Sequence, residues 1–197
     1  MLIQEVFDKN QQILQDALKL QSVLNTIKDK NVAIEECDNA FLFYSTIAPF
    51  SAQKKAPLGE KFLCHKLNYQ RIAASKNMGD AIDQDGTIYE FKNSFTNQNQ
   101  NLNIRQIRLW QPIDFYYCFY INEKDLDKSI FFELTKDQMI EEVAICGGYT
   151  HGTIEANKDN VNREYSITIP IYNDNNEKTK RWKEKYLSED LKRRVLK

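Results

Sequence analysis

Apolar residues near the start of the chain fall at Val6, Ile13, Ala17, Leu20, Leu24 and Ile27, spacings of seven, four, three, four and three that put them on one seam of a helix. Such a seam needs a partner surface, which is either the helix's own domain or the same helix of a second copy. Asp38 through Ile47 predicts a second apolar helix, ended by Pro49. Lys54-Lys55-Ala56-Pro57 marks a short loop before a third helix around Leu58 to Asn68. The period then changes. Ala81-Ile82 and Ile88 to Phe91 flank a turn and predict a hairpin, and the polar run from Asn97 to Asn103 predicts a surface loop. Ile113 to Ile121 is apolar on both faces, as a central strand covered above and below requires. Ile130 to Leu134 predicts the next strand, Thr135 to Val143 a helix with Thr135 as N-cap, and Tyr165 to Ile169 a late strand before Pro170. Thr179 to Lys197 is charged and helical by composition, with Trp182, Tyr186, Leu187 and Leu191 as its apolar contacts.

Helices first, then a hairpin, then strands mixed with helices predict an α/β domain built on a mixed sheet of about five strands flanked by helices. At 197 residues the chain suits one domain: an N-terminal helical segment (1–55), a core (56–170) and a C-terminal helical tail (171–197).

The hairpin carries the chemistry. Residues two apart on a strand share a face, so Glu90 and Lys92 project together while Tyr89 and Phe91 turn into packing. Gln84-Asp85-Gly86 suits a three-residue loop, with Gly86 left-handed. In that register Asp83 pairs with Thr87, and Asp80 falls opposite Glu90. A two-residue Asp85-Gly86 turn would slip the pairing by one and leave Asp83 nearest Glu90. The three-residue loop is the expectation here. Two carboxylates and an ammonium on one face suit phosphodiester hydrolysis. Asp80 and Glu90, with a backbone carbonyl such as that of Phe91, make a partial oxygen shell for magnesium, for which manganese can substitute, and Lys92 can orient or deprotonate the attacking water.

Charge and composition narrow the field. Lys plus Arg number 27 against 28 Asp plus Glu, a formal net charge of −1, which argues against coating nucleic acid by bulk charge. Cys37, Cys64, Cys118 and Cys146 form no CxxC pair, and with two histidines lacking HxxxH spacing neither a zinc site nor a disulfide framework is expected. His65, near Phe62 and Leu63, is assigned no role. Absence of a signal-like N-terminus or a membrane-length apolar run predicts a cytoplasmic protein without a membrane partner. Without a Gly-rich phosphate loop or a nucleophilic serine elbow, a nucleotide cofactor and serine hydrolysis are disfavoured.

Gly79-Asp80, nine intervening residues and Glu90-Phe91-Lys92 resemble the PD-(D/E)XK nuclease superfamily, and within it the type II restriction endonucleases. Gly79 stands where the family's name has proline. Pro57-Leu58-Gly59-Glu60-Lys61-Phe62 resembles the helix that in many of these enzymes carries a glutamate helping to bind a metal or its waters, which would give Glu60 that role. Gly147 to Thr153, followed by Asn157, Asn160, Asn162 and Glu164-Tyr165, is similar to C-terminal segments of such enzymes. The resemblance spans roughly residues 56 to 170. It implies a restriction-endonuclease-like fold and a magnesium-dependent, type II site-specific endonuclease acting on double-stranded DNA, with Asp80 and Glu90 as ligands and Lys92 as activator. A repair or recombination nuclease of the same fold and a non-catalytic DNA-binding or interaction protein are the competing readings. A homodimer would fit an enzyme that cuts both strands of a palindromic site.

Two segments mix amides with cations and are the expected DNA contacts: Asn97, Asn99, Asn103, Arg105 and Arg108 in the first, and His151, Thr153, Asn157 and Lys158 in the second. Each asparagine of the first is otherwise a solvated turn residue. Arg105 and Arg108, three apart, would share a helical face and clamp phosphate or pair with surface acids. His151 is a DNA contact or an idle loop histidine.

Overall fold

The computed structural model describes residues 33–76, 78–96, 99–149 and 163–197. Its strands are β1 (Gln70–Arg71), β2 (Ala81–Ile82), β3 (Ile88–Phe95), β4 (Asn101–Ile107), β5 (Phe115–Ile121), β6 (Ile130–Thr135), β7 (Gly148–Tyr149) and β8 (Tyr165–Pro170). The helices are α1 (Ala40–Ile47), α2 (Ala52–Leu67), α3 (Lys136–Cys146), α4 (Glu177–Tyr186) and α5 (Glu189–Leu196). Five strands form one mixed sheet in the order β1-β2-β3-β5-β6, and three form a second in the order β4-β8-β7. β5 is buried at every position after Phe115, as its two-sided apolar pattern requires. It runs parallel to β3 and antiparallel to β6.

Alternation along β3 and β5 sorts the core into two layers. Tyr89, Phe91, Tyr117 and Phe119 face one way, onto Phe43 and Tyr44 of α1, Phe62 and Leu63 of α2, and Leu191 and Val195 of α5. In this layer Phe43 and Phe62 stack with ring centroids 4.0 Å apart. Tyr116, Cys118 and Tyr120 face the other way, onto Leu102 and Ile104 of β4, Ile167 and Ile169 of β8, Met139 of α3 and Trp182 of α4. The small sheet thus lies against the face of β3 that carries Glu90 and Lys92. Among the described residues no helix is long and apolar enough to cross a membrane. All four cysteines are free, three of them buried.

Local expectations hold at several elements. Thr135 caps α3 as expected, its bond to the Gln138 amide answered by the Gln138 side chain in a capping box, while the cap of α1, Asn39 accepting from the Leu42 amide, was not foreseen. Others need correction. Lys54 to Pro57 is not a loop: α2 starts at Ala52, so residue 56 is no boundary between segments. Pro57 removes only its own amide from the ladder, and buried Lys55 is held by Glu123. The polar run from Asn97 does not end at a surface loop, because Asn101 to Asn103 already belong to β4. Leu102 and Ile104 supply the buried alternation there, while asparagine's weak strand preference hides it. The C-terminal tail is two helices divided at Leu187-Ser188, and Leu187 is 42% exposed rather than packed. The seam from Val6 to Ile27 lies outside the described residues.

Candidate active site

Pairing of Ala81 with Tyr89 and Ile82 with Ile88, extended by hydrogen bonds from the Asp80 amide to the Tyr89 carbonyl (2.9 Å) and from the Asp83 amide to the Thr87 carbonyl (3.1 Å), sets the three-residue register. Asp80, the residue just before this pairing, therefore lies beside Glu90 at the same cleft, close enough for the Glu90 charge to act on it. Asp83 instead closes the turn, accepting from the Asp85 and Thr87 amides and from the Tyr89 hydroxyl. Gly86 takes φ +86° with open space around it, as the loop needs.

Gly79 cannot be replaced by proline without strain. Its φ is +92°, out of reach of a ring locked near −65°, and a Cβ there would lie 3.0 Å from the Tyr89 carbonyl oxygen and from the Ile88 side chain. Gly79→Ala is expected to lower stability by about 1–3 kcal/mol, and Gly79→Pro by more. Urea denaturation checks this, and an alanine variant as stable as the parent would contradict it.

Around this hairpin lies a cleft of about 420 Å³, lined by Glu60 of α2, by Asp80, Glu90, Phe91 and Lys92, and by Asn103, Arg105, Gln106 and Arg108 at β4. The Phe91 ring belongs to the opposite core layer, so Phe91 meets the cleft through its backbone, and its amide donates to Asp80 Oδ2 at 2.7 Å. Lys92 Nζ donates to Glu90 Oε1 at 2.5 Å and to the Gln106 carbonyl at 3.1 Å. Both Lys92 and Glu90 side chains are nearly buried, 12% and 8% exposed. Glu60 is held by Arg71 at 3.1 Å. Tyr116, paired in register with Glu90 on the same face, has a buried hydroxyl with no partner among the described residues.

Electrostatically the site is short of positive charge. Burial, and after it the charges of Glu90 and Glu60, pushes the Asp80 carboxyl up to about 7, against the opposing Phe91 amide and Lys92 ammonium. A carboxyl raised from about 3.8 to about 7 by folding contributes stability that is complete below pH 4 and lost as pH rises through 7. Without added cation, Asp80→Asn, neutral throughout, should therefore remove a fall in Tm between pH 5 and pH 8. Parallel Tm profiles for variant and parent would contradict this.

Two neighbouring carboxylates with a surplus of negative charge, a strand backbone beside them and room for waters suit a hard cation such as magnesium, which takes oxygen donors and keeps part of its hydration shell. No three His, Cys, Asp or Glu side chains among the described residues converge to hold a metal unaided.

The remaining sequence-predicted residues divide sharply. Asn103, Arg105 and Arg108 reach the cleft. Arg105 lies on β4 and Arg108 just after it, so the shared helical face does not exist, and an irregular step in the strand brings both to the opening. Arg108 Nε pairs with Glu164 at 2.7 Å, and the Asn103 side chain accepts from Thr168. Asn99 is exposed and does not line the cleft. Asn97, His151, Thr153, Asn157 and Lys158 lie outside the described residues. Gln106 was not foreseen, although its signal was present: apolar residues at 102, 104 and then 107 break strand alternation by one residue. In comparison with known proteins, the chain matches no protein-family model and no curated protein sequence.

Proposed function

We propose that this protein is a magnesium-dependent endonuclease of the PD-(D/E)XK type acting on double-stranded DNA, and that it is a sequence-specific type II restriction enzyme. The observation carrying this reading is the meeting of Asp80 and Glu90, with Lys92 beside them, at a cleft that Arg105 and Arg108 border.

Asp80 and Glu90 would hold the cation, with the Phe91 backbone beside them, and Glu60 would act on its waters. When bound, a divalent cation lowers the pKa of water and offsets charge on phosphoryl oxygens. Lys92 has three donor hydrogens, two of them engaged by Glu90 and the Gln106 carbonyl. The third is left for the attacking water or a phosphoryl oxygen, so the chain itself positions the nucleophile. Arg105 and Arg108 meet the DNA backbone. Cutting both strands of a duplex calls for two such sites, which favours a homodimer.

Supercoiled and linear DNA of varied sequence, incubated with and without magnesium, tests the reading. Discrete magnesium-dependent fragments support a restriction enzyme. Smears or structure-selective cuts would replace it by a repair or recombination nuclease, and no product under any divalent cation would overturn the nuclease assignment. Glu90→Ala should remove cleavage while leaving DNA binding largely intact.

A further inference from the structure

Strand β4 breaks its alternation at one place, and that place faces the cleft. Ile104 pairs with Ile167 and Ile107 with Tyr165, three steps on β4 against two on β8, so one extra residue is inserted. Gln106 takes it up with φ +53°, a left-handed backbone uncommon for a side chain of its kind. In consequence Arg105 and Gln106 are both exposed between buried Ile104 and Ile107, where a regular strand would turn one of them inward.

The bulge has two outputs. The Gln106 carbonyl accepts from Lys92 Nζ at 3.1 Å, and Gln106, exposed on its strand, lines the same opening. Its carboxamide makes no hydrogen bond to another described residue, unlike Asn103, which is engaged by Thr168. A neutral group offering a donor and an acceptor side by side matches a base edge better than a phosphate, and its bidentate partner in the major groove is adenine.

On the nuclease reading above, we propose that Gln106 is a specificity-determining residue, reading an adenine close to the scissile phosphate while its own carbonyl steadies the lysine that serves the chemistry. Recognition and reaction then meet in one residue of one bulge. Gln106→Ala keeps a Cβ and the carbonyl, so the bulge and the Lys92 contact should persist with Tm unchanged. Gln106→Glu replaces the amide by an acceptor suited to the cytosine amino group.

The experiment digests a pool of linear duplexes carrying a randomised stretch with magnesium, sequences the cut ends for the parent and both variants, and measures rates on the parent's preferred sequence. Parent ends should share several fixed positions, among them an A·T pair close to the cut. Gln106→Ala should relax that position alone and slow cleavage of the preferred sequence by about 5- to 150-fold. Gln106→Glu should shift the position away from adenine, and it serves as the test should the alanine variant fold poorly. Variants with the parent's fixed positions and rates within about twofold would overturn the inference, as would a parent that cuts with no fixed position, leaving a nuclease of another kind. A parent that cuts nothing would instead remove the nuclease reading on which the inference rests.

Discussion

Lys92→Ala is expected to slow DNA cleavage by about 10²- to 10⁴-fold, the range that a positioned proton-transfer group contributes. The same substitution should unsettle the folded protein. Glu90 is 8% exposed and Lys92 is its cationic partner, so truncation leaves a nearly buried carboxylate facing Asp80. Breaking such a pair costs about 3–5 kcal/mol. A cation held by Asp80 and Glu90 would take over part of that compensation, so magnesium should raise Tm more in Lys92→Ala than in the parent. Cleavage within about tenfold of the parent, or equal magnesium shifts in the two proteins, would count against the role given to Lys92.

Glu142→Ala should give the largest stability loss away from the cleft. Glu142 is 1% exposed, and its carboxylate accepts from Arg181 Nε (2.8 Å) and Nη2 (2.6 Å), Trp182 Nε1 (2.8 Å) and the Tyr186 hydroxyl (3.0 Å), fastening α3 to α4. Truncation strands all these donors against the apolar core around Trp182. A loss of about 3–5 kcal/mol follows, or about 6–20 °C in Tm for a chain of this size. Burial pushes the Glu142 carboxyl up, but the hydrogen bonds from Arg181, Trp182 and Tyr186 outweigh it and hold the pKa below 4.5. The stability it contributes is therefore present above pH 4.5 and lost as pH falls through the lowered value, so the variant's deficit should narrow in acid. A deficit under 1 kcal/mol at pH 7, or one that widens in acid, would contradict this account.

How far the chain could be read in advance depended on whether each signal was local. The hairpin register followed from a three-residue loop ending in Gly86, and with it came the meeting of Asp80 and Glu90. β5 was visible because a strand covered on both faces leaves an unbroken apolar run. Thr135 as the cap of α3 was equally plain, since a cap is set within one turn, though its return partner Gln138 went unread. What stayed hidden is set by contacts between distant segments. β4 gains its partner only when β8 arrives from about sixty residues away, and without that strand its asparagines look like loop. Glu142 looks like one more surface charge on α3 until α4 folds over it. Pro57 suggests a break because the rule against proline is strict for isolated helices, yet packing of Phe62, Leu63 and Leu67 holds α2 together across it. The step from Ile104 to Ile107 was on view, but no local rule says which way a bulge will aim its side chains.

The claim beneath all of this is that Asp80 and Glu90 share one divalent cation, and calorimetric titration of manganese into the metal-free protein addresses it most directly. The account predicts saturable binding in the parent at neutral pH that is lost in Asp80→Asn and in Glu90→Gln, with both variants folded by circular dichroism. Binding isotherms in the two variants indistinguishable from the parent's would contradict it.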